Sequence, residues 1–392
     1  MIALLFAGLA SIAMANSMVF PLLGPLGRAV GLSDGQIGAM HAAAALGAIA
    51  AAPWWGRQAD RYGRRTVFAL SLLGLAASTF LLVFGLGAAR AALIDAPQSF
   101  ALLLAARLAY GVLASGALPA AAGYLADISD AAARRRTMTL PSRAFSIGGI
   151  AGLLLIWPAS ALMGVLGPLL LVMAIAAMIA GCALLPTVRR AGTAEMTPPE
   201  GSASARFDRI GHILAINTLA FTALSMVQVT VPFYLQDHFR FSTDTTISAA
   251  TALSLLLTLA TLAGIRVAAR DGISIAVTAA LGLLLAGIGI AGMFLAGSIA
   301  VLLLGHLSIG FGLGLFTPST QAMLSLASSA GVQSHAAGLL SAAATSGYML
   351  GPLVGGYLYA RYGAYAFLVA AALLAVVALG ILLRASYNQQ SG

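Results

Sequence analysis

The chain has 392 residues, 60% of them apolar and only 8% charged, with a formal net charge of +9. A water-soluble domain carries about 25% charged residues, so this chain cannot coat itself in water and is read as a polytopic membrane protein. The positive balance does not indicate nucleic acid: all 20 basic residues are arginine, and no Arg-rich run with interleaved aromatics occurs. The single Cys182 lies in an apolar run, excludes an intrachain disulfide and reads as a packing residue.

The first apolar stretch, residues 2–26, contains Ala13-Met14-Ala15, which mimics a signal-peptidase site. No basic region precedes it and the apolar run continues past it, so it is expected to be a retained first span. Segments long enough to span then follow at 36–55, 66–89, 99–126, 139–164, 166–188, 210–236, 245–265, 273–297, 299–328, 335–360 and 364–383. With the first, at 2–27, they make twelve, split six and six around residues 189–209. That stretch is the one long polar segment, rich in Gly, Ser and Pro, and reads as a cytoplasmic linker. The expected domains are therefore 1–188 and 210–392, joined by 189–209, in an all-α membrane fold of two six-helix bundles.

Arginine counting orients the chain. With the N-terminus inside, 15 arginines fall in inner loops and four (Arg28, Arg90, Arg240 and Arg361) in outer ones. Positive charge accumulates on the cytoplasmic side, so both termini are expected there, in an inner (plasma) membrane of bacterial type. Arg107 is the remaining one and lies inside span 4.

An internal repeat emerges when the chain is slid by 199 residues. Arg107 then falls on His306, Gly111 on Gly310, Pro119 on Pro318, Gly148 on Gly347 and Gly152 on Gly351. Five unusual positions at one offset imply two similar halves.

Between spans 2 and 3 the chain reads Gly56-Arg57-Gln58-Ala59-Asp60-Arg61-Tyr62-Gly63-Arg64-Arg65, five charges in ten residues flanked by apolar runs. This G-x-x-x-D-x-x-G-R-R pattern resembles the signature loop of the major facilitator superfamily of transporters, especially the branch of drug and metabolite proton antiporters. The resemblance implies twelve helices in two parallel halves, with a mid-membrane substrate site at their interface. It also implies a cytoplasmic gate. Asp60 would sit near the start of helix 11, around Ser334-His335, where a helix N-terminus stabilises a carboxylate. Gly56 and Gly63 would permit the turn, Arg64 and Arg65 would meet lipid phosphate or an acid, and Asp127 would join the network. The bland alternative is a patch that only sets topology.

Arg107 and Gly111 resemble the family's R-x-x-x-G motif of proton-coupled members, with Tyr110 in place of the usual glutamine. A buried guanidinium is costly and needs a partner. Yet all eleven acids read as loop or linker residues, so no span offers one. The cargo is therefore expected to be anionic, zwitterionic or neutral rather than a hydrophobic cation. With acids absent, His306 and His41 are the titratable candidates for proton coupling, against the alternative of neutral core histidines. His212, His238 and His335 read as interfacial.

His306, Gly310, Leu313, Thr317 and Gln321 share one helical face. Phe221, Ser225, Gln228 and Pro232 share another in span 7, where proline and glutamine suggest a broken or bent helix. Asn16, Gln228, Tyr234, Thr317, Gln321 and Tyr348 are the candidate cavity residues, with core packing as the competing reading for the aromatics. Gly347 to Gly356 in span 11 resembles the antiporters' G-P-x-x-G-G element, whereas span 5 carries only part of it, and close packing explains such glycines equally well.

The expected function is secondary transport, as proton-coupled efflux in the sense of that branch, with lipid, a small molecule and protons as partners. The chain is expected to work as a monomer without cofactor, metal or nucleic acid. A nutrient importer or facilitator is the alternative, and a non-transporting receptor a lesser one. An enzyme is not expected, because no clustered acids, metal ligands or activated nucleophile lie in the spans.

Overall fold

The computed structural model describes residues 1–128, 139–184, 204–269, 274–328 and 333–390. Residues 189–203 of the expected linker, Asp130, Arg134, Arg135, Arg136, Arg270 and Asp271 lie outside the described residues, as does the side chain of His335. Among the described residues twelve helices are long and apolar enough to cross a membrane, and the protein is a multi-pass membrane protein. They are α1 (Ile2–Ala29), α2 (Asp34–Tyr62), α3 (Arg64–Arg90), α4 (Ala96–Ile128), α5 (Leu140–Met163), α6 (Gly167–Leu184), α7 (Ser204–His238), α8 (Thr243–Ala268), α9 (Ile275–Phe294), α10 (Ile299–Ala327), α11 (Gln333–Tyr362) and α12 (Tyr365–Gln390). Among the described residues there is no strand. Helices prevail because hydrocarbon offers no water to the backbone, so each span must satisfy its own amides.

Helix ends follow local chemistry. Ser33 and Asp95 open α2 and α4 with capping boxes, each receiving the N3 amide while Gln36 and Gln98 reach back to the cap. The helices overrun the apolar segments by a few residues. Asp34, Asp60, Asp127, Asp208, Asp237 and Asp244 thus stand in terminal turns of helices rather than in loops. The expected 56–65 loop shrinks to one residue: α2 runs to Tyr62, α3 begins at Arg64, and Gly63 alone turns the chain, at φ +92°. A side chain at Gly63 would be strained there, whereas Gly56 lies within α2.

Proline acts differently in two places. α4 is interrupted at Ser115-Gly116 between Ala96–Ala114 and Ala117–Ile128. Pro119 lies four residues past Ser115, where its ring opposes the i−4 carbonyl and its missing N–H removes a bond. α7 runs unbroken through Pro232, so of the broken or bent helix expected there, the broken form does not occur. Helices in membranes absorb a proline when neighbours re-satisfy the freed groups.

The chain divides into two compact units, Met1–Thr197 with Phe241–Thr251, and Pro198–Arg240 with Ala252–Gly392. In the first unit α1 packs on α5, α2 on α4, and α3 on both α4 and α6. In the second, α7 packs on α11, and α9 on both α10 and α12, while Gly310 of α10 abuts the Leu257 backbone of α8. These four pairings correspond one to one. A Cβ on Gly152 would strike Ser17 Oγ and the Met14 backbone, and one on Gly351 would strike Ser225 Oγ and the Thr222 carbonyl. Gly111 meets the Ala44 carbonyl as Gly310 meets that of Leu257. Lipid tails are as apolar as the side chains, so close backbone approach at small residues is what holds such helices together. The repeat seen as a 199-residue offset is thus a repeat of seams.

Candidate functional site

Arg107 sits in the first third of α4 and is 5% exposed, the one arginine so deeply buried among the described residues. Its Nε–H has no hydrogen-bond partner. One turn on, the Tyr110 ring lies beneath the guanidinium, with Cζ 4.9 Å from the ring centroid. The Tyr110 hydroxyl comes within hydrogen-bonding reach of the Asn16 side chain. Asn16 stands at the midpoint of α1 and is exposed. Arg107 and Tyr110 together border a cavity of about 10 Å³, whose lining includes Ala15, Ser78, Thr79 and Leu169, room for roughly one water molecule.

His41 of α2 is 4% exposed, stacks on Phe20 at 4.6 Å between ring centroids, and leaves Nε2 without a partner. The first unit therefore buries two basic side chains, each with an unsatisfied nitrogen. Among the described residues every acid stands at or next to a helix end, so no carboxylate answers them. A cation–π contact gives about 0.5–2 kcal/mol. Each unmet buried polar group costs about 1–3 kcal/mol, and burying the charge costs several more. Tyr110 alone does not balance that sum.

The second unit treats the equivalent position otherwise. His306 is 4% exposed, and its Nδ1 lies 2.8 Å from the Leu302 carbonyl of its own helix. Along its face, Thr317 is half-buried and returns its hydroxyl to Leu313, while Gln321 is exposed. On α7, Asn217, Thr218 and Ser225 donate to the α11 carbonyls of Leu340, Ala343 and Gly347, zipping a seam. Phe221 lies 5.5 Å from Tyr348 and 6.5 Å from Phe316 between centroids, and Gln228 is half-buried. Tyr234 donates to the Ala296 carbonyl at 3.1 Å, stacks on His238 and meets Phe367 edge-on, which places it in an aromatic cluster at the far end of α7.

The gate residues gather at the α2–α3 turn. Arg64 Nε meets Asp127 at 2.6 Å, and Gly123 leaves the space its guanidinium fills. Both side chains are largely buried, and such a charge-assisted bond contributes about 1.5–3 kcal/mol. Asp60 is 3.3 Å from Arg64 but 67% exposed, where an i,i+4 pair contributes about 0.3–0.5 kcal/mol. Arg64 is therefore committed to Asp127, and Asp60 is held only weakly. Arg65 donates to the Ala183 carbonyl in the last turn of α6 at 2.5 Å, a cation on the negative end of a helix.

Sequence reasoning missed three supports. Trp55 Nε1 donates to the Val112 carbonyl at 2.6 Å, next to the α4 break. Gly123 could have been found from its i,i+4 spacing to Asp127. Arg28 grips Asp34 with two bonds, 2.6 and 2.8 Å, across the α1–α2 turn.

The family profile described as Major Facilitator Superfamily matches residues 5–268 and 213–391. The chain is 30% identical over 135 residues to multidrug resistance protein 2 of Bacillus subtilis (strain 168), covering 34% of this chain and 31% of that one. It is 32% identical over 144 residues to the class B tetracycline resistance protein of Escherichia coli, covering 36% and 32%. The matched segment thus spans about a third of the length of these relatives. In fold, the chain resembles the crystal structure of a bacterial homolog to the human lysosomal transporter Spinster, in its inward-facing and occupied conformation. The TM-score is 0.77 at 14% identity, over 98% of this chain and 96% of that one.

Proposed function

The chain belongs to the Major Facilitator Superfamily of membrane transporters, and from that premise we propose that it is a secondary active transporter of a small anionic, zwitterionic or neutral organic molecule. It would work by alternating access, with export driven by protons. The observation that carries the cargo class is the unanswered Nε of Arg107 beside Tyr110, in a unit with no carboxylate away from its helix ends among the described residues. A carboxylate on the cargo would supply the missing acceptor and the missing charge together. Export is supported by the similarity to multidrug and tetracycline resistance proteins. In this reading both termini face the cytoplasm of a bacterial inner membrane and the protein acts as a monomer. The weakly held Asp60 serves as the gate carboxylate. Asn16, Gln228, Thr317, Gln321 and Tyr348 line the cargo path, Tyr234 borders it, and His306 assists proton movement.

One observation favours a second reading, uptake: His41 and Arg107 are both buried in the first unit, each with an unpartnered nitrogen. An anion bound at Arg107 and a proton bound at His41 would then travel in the same direction. An inward proton gradient would then drive import. Proteoliposomes with an imposed pH gradient separate the readings. Accumulation of radiolabelled benzoate on the side opposite the proton source supports uptake with the proton. Accumulation against the proton flow supports export. Quaternary ammonium dyes emerging as the best substrates would sink the cargo class in both.

A further inference from the structure

Arg107 and Tyr110 line one cavity, with Ala15 and Val19 of α1, and it holds no more than a water molecule, so no organic molecule fits against the guanidinium as it stands. The half-buried Tyr110 ring lies with its face beneath Cζ at 4.9 Å, its hydroxyl toward the Asn16 side chain. Asn16 is exposed at the midpoint of α1. An exposed amide at that depth faces water or ligand, because hydrocarbon would leave it unsatisfied. The order from outside inward is therefore Asn16, Tyr110, Arg107.

We propose that Tyr110 is a displaceable cap, latched by Asn16, over a carboxylate-binding site at Arg107. It determines which cargo reaches the guanidinium. This rests on the anionic reading above. The incoming carboxylate takes the place of the ring, accepts from the unpartnered Nε–H and from the guanidinium edge, and meets the Asn16 amide that the hydroxyl releases. The exchange is favourable because a charge-assisted pair is stronger than the cation–π contact it replaces. A hydrophobic cation gains nothing by displacing the ring, since it would face a like charge.

The test is arginine-selective labelling of the full-length protein in liposomes with phenylglyoxal, with Arg107 followed by peptide mass spectrometry and benzoate as the probe. In the wild type Arg107 labels slowly. Tyr110→Ala labels at least tenfold faster, and Tyr110→Phe and Asn16→Ala, which loosen only the latch, two- to fivefold faster. Benzoate protects Arg107 in Tyr110→Ala at a lower concentration than in the wild type. Arg28, held by Asp34 at the α1–α2 turn, is the internal reference, and an unchanged Arg28 rate shows that the fold is intact. Equal Arg107 rates in the wild type and all three variants overturn the cap and leave the cargo reading standing. Faster labelling without benzoate protection in any variant overturns the carboxylate site, and the anionic cargo with it.

Discussion

α4 and α10 occupy the same place in their two units, and they differ where it counts. Both carry a glycine that abuts a neighbouring backbone, Gly111 on Ala44 and Gly310 on Leu257. One turn earlier, α10 has a histidine that satisfies Nδ1 within its own helix, while α4 has a guanidinium with an unpartnered Nε. Four residues before the shared proline, α4 breaks at Ser115-Gly116 and α10 continues. The break is accommodated because Trp55 of α2 bonds the Val112 carbonyl beside it. Seams are thus duplicated faithfully and the chemistry is not. In this account the first unit holds the charge that meets cargo, and the second adds path-lining residues and the lesser, auxiliary part of His306.

Four tests, using seven substitutions, break or sharpen that contrast, in falling order of effect. Arg107→Ala is expected to reduce benzoate flux in proteoliposomes at least a hundredfold, while His306→Ala reduces it less than threefold. Similar losses would erase the contrast. Gly152→Ala and Gly351→Ala place a methyl against equivalent backbone and serine atoms. Each is expected to destabilise by about 1–3 kcal/mol, seen as matching drops in thermal unfolding temperature. A large drop in one alone would show that the seams are not equivalent. Trp55→Phe leaves the Val112 carbonyl to the Ser115 hydroxyl, at a cost of about 1 kcal/mol by the same measurement. Pro119→Ala restores an N–H near the break and is expected to slow amide exchange around Ser115 by a few-fold, whereas Pro318→Ala changes exchange near Gly314 less.

Much of the fold was legible because membrane spans announce themselves by length and apolarity, and because Gly111, Pro119, Gly148 and Gly152 recur at one offset. The pairing of Arg64 with the Asp127 region was legible through resemblance to the family's gate. Other features depend on three-dimensional detail that composition does not carry. Gly56 sits inside α2 because α2 outlasts the apolar run that marked its end. Arg65 finds the Ala183 carbonyl, 118 residues away, a partner that no local pattern names. The continuity of α7 through Pro232 rests on tertiary support, not on its sequence. Tyr110 as a cover for Arg107 follows from a side-chain rotamer, so span 4 offered the motif without the geometry.

The central claim is that the charge at Arg107 is left for cargo to complete. Equilibrium binding of two probes alike in shape and opposite in charge, benzoate and benzyltrimethylammonium, to the reconstituted protein tests it most directly. The account predicts that benzoate binds more tightly by tenfold or more, and that Arg107→Gln removes the difference. Tighter binding of the ammonium, or a benzoate preference that survives Arg107→Gln unchanged, would contradict it.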